Sequence, residues 1–196
     1  MNSLRQATSS LESEGKSTAA RSFAVALAQT GRKTLLVDTD LRRGTLSRRL
    51  GFPRTTGLSD LLAWQIEQAP VRQIAGLDHL DVLGAGHSSP NPAELLSSDA
   101  MRNWVDRWRE EYDFVVLDSA PVLPVTDSVT LNTLADVTLL LARSGVTEKP
   151  QIYRSYNMLR QNGQHFVGLV LNGLSLSDHS YYGYYGYGKK GYSYVR

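Results

Sequence analysis

Short, almost wholly apolar runs alternate along this chain with stretches whose apolar residues recur at three- and four-residue spacing. The runs at 33–37, 80–83, 114–117, 137–142 and 166–171 predict strands, and the periodic stretches near 16–30, 58–64, 92–97, 99–111, 127–134 and 149–162 predict helices. Strands that are apolar on both faces are buried on both faces, so the pattern predicts an α/β fold: a doubly wound, mostly parallel sheet with helices on both faces. The first helix shows its core stripe as Ala20, Phe23, Ala24, Leu27 and Ala28, and Gly31 follows as a residue that closes a helix in the left-handed conformation. Met101, Trp104, Val105 and Trp108 repeat the same spacing, which reads as core packing.

Two segments break this pattern. Residues 1–7 precede the first helix where a buried strand belongs, yet they contain Asn2, Ser3, Arg5 and Gln6; either the strand is short and irregular or the native chain begins further upstream. At the other end, glycines space out Tyr181, Tyr182, Tyr184, Tyr185, Tyr187, Tyr192 and Tyr194, a biased stretch without packing partners of its own. The expected division is therefore a packed α/β domain over 1–178 and a flexible tail over 179–196.

Composition narrows the chemistry by exclusion. With 196 residues, 41% apolar and 20% charged, the chain suits one packed domain. A net charge of +2 gives no concentrated basic face, so no nucleic-acid partner is expected. There is no cysteine, and His79, His87, His165 and His179 fall in no zinc-ligand spacing. The apolar runs are strand-sized, well short of the about 20 residues of a membrane span, and the start lacks a secretory pattern, so a cytoplasmic protein is expected.

The chemistry sits at predicted strand ends. Ser10-Leu11-Glu12-Ser13-Glu14-Gly15-Lys16-Ser17-Thr18 opens the first helix with the Gly-Lys-Ser of a Walker A loop. Such a loop turns backbone N–H groups toward phosphate, adds a lysine for the β/γ oxygens, and a hydroxyl for Mg²⁺. Ser10 and Ser13 stand where glycine is common, and Glu12 and Glu14 bring negative charge beside a polyanion. The second predicted strand ends in Asp38-Thr39-Asp40-Leu41-Arg42 and a later one in Asp118-Ser119-Ala120-Pro121, the latter in Walker B form. Ligands of open α/β sheets bind at these carboxyl ends. Of Arg42, Arg43, Arg48, Arg49 and Arg54, which read together as a solvated basic face, Arg42 is the best placed to clamp phosphate.

On these motifs the sequence resembles the catalytic domains of bacterial tyrosine kinases that control capsule and exopolysaccharide production. The resemblance rests on Leu35-Leu36-Val37-Asp38-Thr39-Asp40-Leu41-Arg42, on Asp118 with Pro121, on Asn91-Pro92-Ala93-Glu94-Leu95-Leu96, on the 121–127 segment, on Val170-Leu171-Asn172 and above all on the terminal tyrosines. It implies ATP and Mg²⁺ as cofactors, bound by Ser13, Glu14, Gly15, Lys16, Ser17, Thr18 and Asn172, with Mg²⁺ held by Ser17, Asp40 and Asp118. Lys16, Asp38 and Asp40 are the implied catalytic residues, Asp38 being the candidate base for a tyrosine hydroxyl. The tail tyrosines are the implied phosphoacceptors, modified in trans within a homo-oligomer. A membrane-embedded polysaccharide co-polymerase or adaptor is the implied partner, recruiting the chain to the inner face of the plasma membrane.

The sequence departs from that family at Glu12 and Ser13, where proline and glycine are frequent, and no Glu-x-x-Arg-x-x-Arg helix precedes Thr8, which predicts impaired assembly or a truncated piece. Two other readings remain. A positioning or partition ATPase would need an early loop lysine where Leu11 stands, and a catalytically weak regulatory module would use its tail only for adhesion.

Overall fold

In the computed structural model, described over residues 3–52, 56–161 and 166–174, the chain runs β1 (Ser3–Ser9), α1 (Lys16–Gln29), β2 (Thr34–Asp38), α2 (Thr45–Arg49), α3 (Leu58–Leu62), β3 (Arg72–Ile74), β4 (Leu77–Leu83), α4 (Pro92–Ser97), α5 (Asp99–Glu111), β5 (Phe114–Asp118), α6 (Asp127–Asn132), β6 (Val137–Arg143), α7 (Lys149–Gln161) and β7 (Phe166–Asn172). The strands form one seven-stranded sheet in the order β3-β4-β2-β5-β1-β6-β7. Every pairing is parallel except that of β3 with β4. The doubly wound architecture expected from the sequence is present.

One face buries Ala20, Ala24 and Ala28 of α1 and Leu46 of α2 against Ala7, Leu36, Val82, Val116 and Leu141. Three alanines let α1 lie close to the strands, and Gly31 closes it at φ 80, its N–H donating to Ala28 O at 2.9 Å. On the other face Leu58, Leu61, Leu96, Met101, Val105, Trp108 and Leu131 pack on Leu4, Leu35, Val37, Leu83, Val115 and Leu117. Leu159 of α7 joins Leu140 and Val122 in a smaller cluster on that side. Trp108 and Met101 are core residues as their spacing predicts, and Trp104 packs partly buried against them.

The polar N-terminal segment corrects an expectation. β1 is neither short nor irregular: its residues pair in register with both β5 and β6 near the middle of the sheet. Its buried Gln6 and Thr8 side chains are satisfied by neighbours, while the Nε of Arg5 is buried without a hydrogen-bond partner. Gln6 Nε2 donates to Ser119 Oγ at 3.0 Å and to Ser128 O at 2.9 Å, Thr138 Oγ1 lies 3.1 Å from Gln6 Oε1, and Thr8 Oγ1 donates to Ala120 O at 2.8 Å. A polar strand is stable at the centre of a sheet when each buried group finds its partner. The pattern of apolar residues also missed the five-residue α2 and the three-residue β3, both too short to carry a period.

Candidate active site

The loop between β1 and α1 is set by two left-handed residues, Ser13 at φ 62 and Gly15 at φ 99. At Gly15 only hydrogen fits, since a Cβ there would lie 2.2 Å from Asn172 Nδ2. Asn172, at the end of β7, donates to Glu14 O at 3.0 Å, and Arg143 Nη1 donates to Ser13 O at 3.3 Å. The loop therefore rests on the ends of β6 and β7 while α1 begins behind it. With Gly15 leading into Lys16 and Ser17 at the helix start, backbone N–H groups and the helix dipole favour an anion there.

Parallel pairing brings the acidic strand ends together. Asp38 and Asp118 are register partners on adjacent strands, and Ala7 of β1 pairs with Asp118 from the other side. Lys16 reaches back over them, its Nζ 3.1 Å from Asp40 Oδ2 and 4.0 Å from Asp118 Oδ1. Asp118 is fully buried and both of its carboxyl oxygens lack a hydrogen-bond partner. Burial pushes this carboxyl up to about 7, with the Lys16 ammonium opposing the shift. A buried acceptor pair left unmade is costly, and a divalent cation satisfies it. Among the described residues no three or more His, Cys, Asp or Glu side chains gather to hold a metal by themselves. That donor set suits Mg²⁺, which takes one or two carboxylates and draws its remaining oxygens from water and phosphate. The residues present thus fit the implied cation.

Asp38 lies deeper than the sequence suggests. It has no exposed surface, and its Oδ2 accepts from Ser47 N–H at 2.8 Å and from Ser47 Oγ at 2.6 Å. Burial raises its proton affinity against the pull of those bonds. Asp40, in contrast, lines a cavity of about 100 Å³ together with Glu12, Ser13, Gly15, Lys16, Ser17, Arg43, Thr45, Arg49 and Pro121.

The structure gathers most of the predicted residues here and gives several of them other partners. Ser13, Gly15, Lys16 and Ser17 line the cavity. Thr18 accepts from Arg49 Nη1 at 2.8 Å. Glu14 turns its carboxylate inward, and Glu12 pairs with Arg43 at 2.6 Å, so the two loop carboxylates are engaged on protein groups. Arg42 binds Asp127 with two hydrogen bonds of 2.8 and 3.0 Å, a clamp between the β2 loop and α6 in place of the phosphate contact expected of it. Arg54 and Tyr181, Tyr182, Tyr184, Tyr185, Tyr187, Tyr192 and Tyr194 lie outside the described residues. Tyr112 is 4% exposed and donates to Asp81 at 2.9 Å. Sequence reasoning missed Ser47, Asp127, Arg143 and Thr147, whose partners lie 9, 85, 130 and 133 residues away. Only Asp127 falls within a segment singled out in the sequence, at the end of 121–127.

Known proteins share this arrangement. The AAA domain family matches residues 13–144. The chain is 41% identical over 179 residues to tyrosine-protein kinase YwqD of Bacillus subtilis (strain 168), covering 91% of this chain and 76% of that protein. It is 33% identical over 175 residues to tyrosine-protein kinase wzc of Salmonella typhimurium, where it spans 88% of this chain but only 24% of the relative. Among solved structures, the kinase domain of Escherichia coli tyrosine kinase ETK superposes with a TM-score of 0.83 at 31% identity, covering 100% of this chain and 72% of that one.

Proposed function

The chain belongs to the bacterial tyrosine-protein kinase family, and from that premise we propose that its loop, Lys16 and strand-end carboxylates transfer the γ-phosphoryl group of ATP to tyrosines of its own tail. The enzyme is a bacterial-type protein-tyrosine autokinase of capsule and exopolysaccharide systems. The observation that carries the site is the convergence of Lys16, Asp40 and the buried Asp118, which has Lys16 beside it and no geometric hydrogen bond, at adjacent strand ends.

In this reading Ser13, Gly15, Lys16, Ser17 and Thr18 receive the phosphates, with Asn172 and Glu14 shaping the loop behind them. Lys16 leaves Asp40 for the β/γ oxygens. Ser17, Asp40 and Asp118 would hold Mg²⁺, which would supply neutralisation of phosphate charge. Asp38 accepts the proton of the tyrosine hydroxyl, and its raised proton affinity favours that role. Because Ser47 covers it, the β2 loop and α2 must shift as the acceptor arrives. Phosphoryl transfer asks mainly for positioning and charge neutralisation, which these few groups provide.

A neighbouring subunit's tail is the proposed acceptor, and a membrane-embedded polysaccharide co-polymerase or adaptor the proposed partner, bringing the domain to the inner face of the plasma membrane. No helix of the described residues is long and apolar enough to cross a bilayer. The test is to incubate the purified full chain with Mg-ATP and map phosphate by mass spectrometry beside Lys16→Met. Phosphate on some of Tyr181, Tyr182, Tyr184, Tyr185, Tyr187, Tyr192 and Tyr194 is expected. Labelling should fall about a hundredfold or more in the variant. Equal labelling of parent and variant would reject the site.

A further inference from the structure

The loop poses a physical problem: Ser13 holds a left-handed conformation at φ 62, a backbone region that side chains rarely adopt. A glycine-poor phosphate loop needs something else to keep its shape. Glu14, the next residue, is 1% exposed although it is a carboxylate on a loop. Its Oε2 accepts the Leu11 N–H at 2.9 Å, closing the turn on itself. Its Oε1 accepts the Thr147 hydroxyl, and the same Thr147 oxygen accepts the Arg143 N–H at 2.7 Å. The main-chain oxygen of Glu14 accepts from Asn172 Nδ2 at 3.0 Å. One residue thus ties both ends of the loop to each other and to the segment that follows β6.

We infer that Glu14 is a positioning residue: its buried carboxylate, braced by Leu11 N–H and Thr147, holds the phosphate loop in its open shape where glycine is missing at Ser13. Hydrogen bonds to a buried carboxylate are among the strong ones. The brace acts before chemistry. Its loss should weaken ATP binding while leaving the transfer step nearly intact, because Lys16 and the strand-end carboxylates do not depend on it for their own contacts. The inference rests on reading this loop as the ATP site.

The test measures ATP affinity and single-turnover phosphorylation in the full chain. Glu14→Ala should raise the Kd for ATP about tenfold with the saturated rate within about threefold of the parent. Glu14→Gln, which keeps one acceptor oxygen, should fall between. Thr147→Val should act in the same direction, and adding it to Glu14→Ala should cost less than its effect alone, since the shared contact is already gone. Ser13→Gly in the Glu14→Ala background should recover part of the lost affinity, a rescue that a merely stabilising role for Glu14 would not produce. Unchanged ATP affinity in Glu14→Ala, fully additive losses, or no recovery with Ser13→Gly would overturn the brace. A parent chain that binds no ATP, like Lys16→Met, would instead overturn the nucleotide-site reading beneath it.

Discussion

Asp118 shows how one buried residue links stability to pH. Its carboxyl, pushed by burial from an ordinary 3.8 up to about 7, stays protonated in the folded chain across a range where the unfolded chain has released the proton. The folded state then binds more protons, so stability falls as pH rises from about 4 to about 7. Asp38, raised for the same reason, acts in the same direction. Thermal unfolding without Mg²⁺ should therefore occur at lower temperature at pH 8 than at pH 5. Asp118→Asn should flatten that slope, and an unchanged slope would refute the assignment. Asp38 offers a second test, since a base matters in the reaction step more than in binding. Asp38→Asn should slow single-turnover transfer by about a hundredfold or more while changing ATP affinity by less than about threefold. A variant that transfers at the parental rate would move the base elsewhere, with Asp40 on the cavity wall the first alternative.

At the scale of the element, β1 carries the clearest lesson. A strand between β5 and β6 is buried on both faces, yet its sequence alternates Leu4, Gln6 and Thr8 toward one side. The cost of burying Gln6 is offset by Ser119, Ser128 and Thr138, which arrive from β5, α6 and β6 or their edges. Gln6→Leu leaves those partners without it and should lower stability by about 1–3 kcal/mol. Denaturant unfolding would show this as a lower midpoint at an unchanged slope. A parental midpoint would mean that the network contributes nothing. The same logic separates α5 from β1: α5 announces itself because Met101, Val105 and Trp108 face apolar neighbours that any helix of that spacing must find.

For the whole molecule, the proposal makes the nucleotide site and the acceptor tail separable parts. The described fold ends one residue past Gly173, just beyond Asn172, which touches the phosphate loop through Glu14. The last described residues thus lie at the active-site end of the sheet. Ending the chain after Asp178 should remove most phosphate incorporation yet keep ATP affinity within about threefold, because the phosphate loop draws its contacts from 11–172. Incorporation equal to that of the full chain would favour the adhesive reading of the tail. Each added phosphate brings about −1.5 to −2 charges, so a fully labelled tail should self-associate less, measurable by light scattering before and after reaction. By itself the sequence determined the α/β class, five of the strands and the placement of the three motifs at strand ends, because each is written in local periodicity or in contiguous residues. Only the tertiary structure decided that β1 is a true central strand, that Arg42 clamps Asp127, that Ser47 covers Asp38, and that Glu14 turns inward. Those outcomes depend on partners that are distant along the chain, and a hydrogen bond across the fold leaves no period in the sequence for either end to reveal.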